Sequence, residues 1–186
     1  MPSLSDEDRK AILELAALGV REAVIHGRPL STYPTIGIFT EPRGLFVTLH
    51  HKKKLRGCIG IIEGGTHLGE NLARCAADAA LRDPRFAPLR PEELAGLEIE
   101  VSLLSPIYPI RAEEVEIGRH GLLVERGLRR GLLLPQVATE HRLSRELFLA
   151  ETCVKAGLPR ESWKDPETHL YGFECEIVAQ EHPLQQ

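Results

Sequence analysis

The stretch LRGCIGII, residues 55–62, sets an arginine and a cysteine two positions apart among glycines. Strand alternation puts Leu55, Gly57, Ile59 and Ile61 on one face and Arg56, Cys58, Gly60 and Ile62 on the other. The odd-numbered face reads as core. Cys58 then shares the less apolar face with Arg56, whose guanidinium would favour a thiolate. Gly57 and Gly60 clear space beside it, as a site admitting a ligand or another backbone would. The same pattern also fits a small buried cysteine in a tightly packed strand, because free cysteine is among the most buried residue types.

Working outward, LFVTL at 45–49 and the basic run HHKKK at 50–54 make this strand one arm of a hairpin with a basic tip. TIGIFT at 35–40 is expected as a further short strand, joined to LFVTL by the Glu41-Pro42-Arg43-Gly44 turn. Ser5 and Asp8 form a capping box that opens a helix, which Gly27 and Pro29 end. Thr66 can cap a second helix with Leu68, Leu72, Cys75, Ala76 and Ala79 on one face. Asp83-Pro84 ends it, since a residue before proline leaves the helical region. EIEVSLL at 98–104 puts Ile99, Val101 and Leu103 on one strand face, and LLVERGLRRGLLL reads as a hairpin turning near Gly127. Ser144 opens another helix with Leu147, Ala150 and Val154 inward, closed by Gly157 and Pro159. A last strand alternates Tyr171, Phe173, Cys175 and Ile177 against Gly172, Glu174 and Glu176. Helices mixed with hairpin-linked strands define an α+β fold on mainly antiparallel sheets.

The 186 residues suit one domain or two closely joined lobes. With 42% hydrophobic and 27% charged residues, the composition is that of an ordinary soluble globular chain. No apolar run approaches the roughly 18 residues of a membrane span, and MPSLSDEDRK is wrong for a secretory signal, so a cytoplasmic protein is expected. Cys58, Cys75, Cys153 and Cys175 form no Cys-x-x-Cys pair, which points to free thiols and calls for no metal or cofactor. The net charge of −4 argues against a nucleic-acid binder.

Other residues are candidates for chemistry. His120, between glycines in GRHGLL, has the titration range of a general acid or base, and equally that of a solvated loop histidine. His50 and His51 are adjacent and point to opposite sides, a poor metal pair. Lys52–Lys54 reads as a solvated tip or as a contact for an anion or acidic partner. In DPRF at 83–86, Pro84 stops the helix, Asp83 caps the turn and Phe86 plugs the core, leaving Arg85 unused. In LLLPQVATE at 132–140, Pro135 ends a strand, while Gln136 and Glu140 either cap the next helix or face a cleft. Cys75, Cys153 and Cys175 read as small hydrophobes in packed faces.

Taken in order, GLFVTL, LRGCIG, DPRFAPL, GRHGLLV, GLLLPQVATE, FLAETCVKAGLP and the following Trp163 resemble the AMMECR domain family. The likeness runs from about residue 15 to 180 and is strongest to the bacterial AmmeMemoRadiSam system A type, whose members are encoded beside a Memo-like protein and a radical S-adenosylmethionine enzyme. The resemblance implies a single AMMECR domain with two unequal lobes around antiparallel sheets and a cleft carrying the signature residues. The family motif falls here on Arg56, Gly57, Cys58, Gly60, Asp83, Pro84, Arg85, Gly121, Pro135, Gln136 and Trp163, without assigning any of them a chemical role. Leu143 stands where many relatives place a tryptophan.

Two functions follow as expectations. One is an enzyme or enzyme component with Cys58 as nucleophile or redox thiol, Arg56 stabilising the thiolate or an anionic substrate, and His120 as acid or base. Gly57, Gly60, Arg85, Gln136 and Glu140 would line its binding surface. The other is a non-catalytic module that binds a small molecule or recruits the Memo-like and radical enzymes. Neither calls for nucleic acid or membrane.

Overall fold

The computed structural model describes residues 4–180 and 184. In chain order the main elements are α1 (Asp6–His26), β1 (Leu45–His51), β2 (Lys54–Ile61), α2 (Leu68–Leu81), β3 (Leu97–Leu104), β4 (Tyr108–Pro109), β5 (Gly121–Arg126), β6 (Arg129–Leu133), α3 (Pro135–Glu140), α4 (Arg145–Lys155), β7 (His169–Phe173) and β8 (Cys175–Ala179). The strands form two four-stranded antiparallel sheets, ordered β2-β1-β3-β8 and β4-β7-β5-β6, and the fold is α+β. The chain makes two compact units. One is built from residues up to Leu103 and from Glu176 onward, the other from Leu104–Cys175. Among the described residues no helix is long and apolar enough to cross a membrane.

In the first unit, the buried side chains of β1 (Leu45, Val47, Leu49) and β3 (Leu97, Ile99, Val101, Leu103) pack with Leu68, Leu72, Cys75, Ala76 and Ala79 of α2. Ile12, Leu15, Ala16 and Val20 of α1 complete this core. Small residues let the layers close: Gly19 of α1 lies against Ala76, and Gly57 of β2 lies against the Ala79 backbone. Ser5 caps α1 by accepting the Asp8 N–H, and Gly27 closes it in the left-handed region, as the sequence predicts.

The β1–β2 hairpin carries two irregularities. Lys52 and Lys53 form its two-residue tip at φ +52° and +61°. That left-handed geometry costs a residue with a Cβ about 1–2 kcal/mol and is normally filled by Asn-Gly or Asp-Gly. Further on, Leu49 pairs with Gly57 but His50 pairs with Leu55, so Arg56 is the extra residue of a β-bulge. The bulge breaks the simple alternation. Gly57 is buried and Ile59 and Ile61 pack on the core, as expected, whereas Leu55 is 39% exposed rather than inward.

Three other expectations change. TIGIFT is not a strand: Gly37–Thr40 is a 3-10 turn, entered through Gly37 at φ +58°. Thr66 does not cap α2; its hydroxyl donates to Asn71 Oδ1, and His67 holds the cap position. The final strand is two strands in different sheets, with the chain leaving β7 at Phe173 and entering β8 at Cys175.

The second unit packs Leu122, Val124, Phe148, Leu149 and Cys153 with Trp163 and Leu170. Ser144 caps α4 through the Leu147 N–H as predicted. The buried stripe of α4 is Phe148, Leu149, Ala150, Thr152 and Cys153, so Leu147 and Val154, expected inward, are each 46% exposed.

Candidate functional site

β2 is an edge strand, so alternate backbone groups along it have no strand partner. Cys58 is one of these, and the loop after α2 supplies what a fifth strand would. Asp83 Oδ2 accepts the Cys58 N–H at 2.8 Å, and Arg85 Nη2 donates to the Cys58 carbonyl at 3.3 Å. The local sequence builds this clamp. Pro84 forces Asp83 out of helical geometry, and the Asp83 carboxylate then bonds two residues onward, as aspartate does in turns: Oδ1 accepts the Arg85 N–H at 3.1 Å. The Arg85 guanidinium closes the ring with Nε to Oδ1 at 3.0 Å and Nη2 to Oδ2 at 2.7 Å, a two-pronged charge-assisted contact.

Asp83 is buried, its side chain only 2% exposed. The Arg85 hydrogen bond, helped by the N–H groups of Cys58 and Arg85, outweighs burial and lowers its pKa to about 2. Arg85 is raised in turn, first by its hydrogen bond to Asp83 and to a smaller extent by Cys58. The cation that reaches Cys58 is therefore Arg85, through the Cys58 backbone carbonyl. Its side chain is 54% exposed, Nη1 makes no hydrogen bond among the described residues, and the guanidinium carbon lies over the Phe86 ring, 5.4 Å from its centroid.

Arg56 is turned to another task. Nε and Nη2 grip Glu93 Oε1 and Oε2 at 2.8 and 3.1 Å, while Nη1 donates to the Ala87 carbonyl at 2.8 Å and Nη2 reaches that of Pro88 at 3.4 Å. Glu93 Oε2 also accepts the Arg90 N–H at 3.0 Å, and its pKa is lowered chiefly by Arg56. Arg56 thus straps the 87–93 segment to β2, a few residues from where Asp83 and Arg85 strap its beginning.

The thiol is half-buried and lies opposite Thr48 of β1, whose hydroxyl donates to Sγ at 3.3 Å. Gly60, two pairs along, lets the Phe46 ring lie over the strand where a Cβ would collide with it. Cys75 and Cys153 are buried; burial pushes Cys75 up to about 11 and raises Cys153 as well. Cys175 is half-buried.

The first unit thus places Arg56, Cys58 and Arg85 near one another, whereas the space beside Gly57 and Gly60, expected to admit a ligand, is filled by the Ala79 backbone and by the Leu45 carbonyl and Phe46 ring. It adds Thr48, Asp83 and Glu93. Of these three, only Asp83 was visible in the sequence, as a turn cap. His120, Gln136 and Glu140 lie in the second unit. His120 is buried rather than solvated. Its Nδ1 accepts the Glu116 N–H at 3.0 Å, which leaves the ring proton of the neutral form on Nε2, and Tyr108 stands edge-on at 6.3 Å. Gln136 is half-buried in the first turn of α3, and Glu140 is exposed at its end.

Fold and site together define a class: a two-sheet α+β protein with a partly exposed cysteine on an edge strand, held by an Asp-Pro-Arg clamp. The AMMECR1 family model matches residues 13–178, and the chain belongs to the AMMECR1 family. It is 41% identical over 186 residues to a protein of Methanothermobacter thermautotrophicus, covering 96% of this chain and 97% of that one. It is 42% identical over 198 residues to a protein of Thermococcus gammatolerans, with 98% and 95% covered. The crystal structure of the uncharacterized protein PH0010 from Pyrococcus horikoshii is similar throughout, with a TM-score of 0.89, 38% identity and 97% and 95% covered.

Proposed function

We propose that the chain is an enzyme or enzyme component, acting in the cytoplasm, whose reacting group is the Cys58 thiol. The observation that carries this reading is the half-exposed Arg85 guanidinium held on the backbone carbonyl of the half-buried Cys58. A cation in that position holds an anionic group of a substrate against sulfur, and the Thr48 hydroxyl fixes Sγ from the opposite strand. Arg85 takes the part that sequence reasoning gave to Arg56. The Memo-like and radical S-adenosylmethionine proteins implied by the family resemblance are the proposed partners.

A second reading, a non-catalytic binding module, is favoured by a different observation. Both Arg56 and Asp83 are spent on holding the 83–93 segment to β2, which is what a rigid binding surface requires. One experiment separates the two. The chain and its Cys58→Ser variant are each purified with the Memo-like and radical partners and incubated with a small-molecule extract. A compound transformed only by the wild type supports the thiol enzyme. A compound retained equally by both, and unchanged, supports the module.

A further inference from the structure

The β1–β2 tip combines strain with unneutralised charge. Among the described residues six glycines occupy left-handed positions, at Gly27, Gly37, Gly96, Gly118, Gly127 and Gly157, and apart from Arg142 the non-glycine exceptions are Lys52 and Lys53. The fold therefore uses glycine for such turns elsewhere and lysine here. With Lys54, which pairs across the hairpin with His51, the tip holds three of the six lysines in the sequence. All three are exposed and make no ion pair among the described residues, whereas Lys10 and Lys164 pair with Glu14 and Glu161. Asn-Gly in this turn would relieve the backbone at no cost in packing, since both positions face solvent. What the lysines supply is charge projecting from a rigid two-stranded stem.

We infer that this tip is a docking point for an acidic segment of a partner protein. Two ammonium groups on the turn and a third on the first residue of β2 match a short run of carboxylates. A long polyanion is a poorer fit, because three contacts reach few phosphates. The inference is independent of the chemistry proposed for Cys58.

The test uses the full chain, the variant Lys52→Asn with Lys53→Gly, and a control with Lys10→Gln and Lys164→Gln. The ligand is a fluorescently labelled hexaglutamate peptide at low salt; a 20-base-pair duplex and phosphatidylserine vesicles serve as competing probes. The expected results are peptide binding by wild type and control, weakened about fivefold or more in the tip variant and reduced by added salt. The tip variant should also melt about 2–4 °C higher as strain is released. Peptide binding that is absent, or equal in all three proteins, would overturn the inference, as would tighter binding of duplex or vesicles than of peptide. A melting temperature unchanged or lowered in the tip variant would remove its premise.

Discussion

Asp83 accepts the Cys58 backbone N–H at 2.8 Å with the same oxygen that takes Arg85 Nη2 at 2.7 Å. One buried carboxylate thus completes the hydrogen bonding of an edge strand and fixes a cation on the carbonyl of its cysteine. Asp83→Asn should cost about 2–3 kcal/mol, because it takes the charge from a buried acceptor of four hydrogen bonds. Arg85→Gln should cost less than Asp83→Asn, since the half-exposed guanidinium is screened and the N–H groups of residues 58 and 85 still serve the carboxylate. Denaturant unfolding of both variants measures this, and a larger loss for Arg85→Gln would contradict the assignment of roles.

Acid should erase the Asp83 contribution. Its folded pKa of about 2, set first by the Arg85 hydrogen bond, lies below the ordinary aspartate value of about 3.9. A depressed carboxylate stabilises fully above the unfolded value and loses that stability as pH falls through the folded one. The stability gap between wild type and Asp83→Asn should therefore be wide at about pH 5 and narrow progressively toward about pH 2. A gap independent of pH would show that the charge on Asp83 does not matter.

Gly57 should tolerate no side chain. A Cβ there would overlap the Ala79 carbonyl of α2, a backbone atom that cannot swing aside. Gly57→Ala should cost at least the ~1–3 kcal/mol of an overpacked core, and Gly57→Val more. Gly65→Ala is the control, because nothing lies within 4 Å of its Cβ position. Thermal melts rank the three, and an unperturbed Gly57→Ala would place β2 wrongly against α2.

Arg56 and Glu93 should behave as one structural unit. Both side chains are mostly buried, at 18% and 19% exposure, and share two hydrogen bonds. A double-mutant cycle with Arg56→Gln and Glu93→Gln should give a coupling of about 1 kcal/mol or more in stability. Zero coupling would free Arg56 for another role.

Much of this was legible beforehand. Ser5, Gly27, Ser144 and Gly127 mark element ends through local backbone chemistry, and there the sequence suffices. The site was harder because of one residue. Counting back from the Lys52-Lys53 tip without a bulge sets Cys58 opposite Val47, a core position. The extra residue at Arg56 shifts the pairing to Thr48. That shift turns Leu55 outward and frees Arg56 for Glu93, and alternation alone registers none of it. The α4 stripe failed for a similar reason: Leu147 and Val154 share a helical face, but the neighbouring Phe148 and Leu149 bury more surface and set which face turns inward. The partnership of Asp83 and Arg85 with Cys58 spans about 25 residues and depends on where α2 ends against β2.

The central claim is that Arg85 delivers anions to an accessible Cys58. The most direct test is peptide-resolved alkylation of the folded protein by neutral iodoacetamide and anionic iodoacetate, in wild type and Arg85→Gln. Cys58 should react faster than Cys75 and Cys153, which are buried with raised pKa values. Its preference for iodoacetate should exceed that of Cys175 and should fall severalfold in Arg85→Gln. If Cys58 is instead the slowest of the four thiols, or its preference is the same with and without Arg85, the cysteine is there to pack and the claim is wrong.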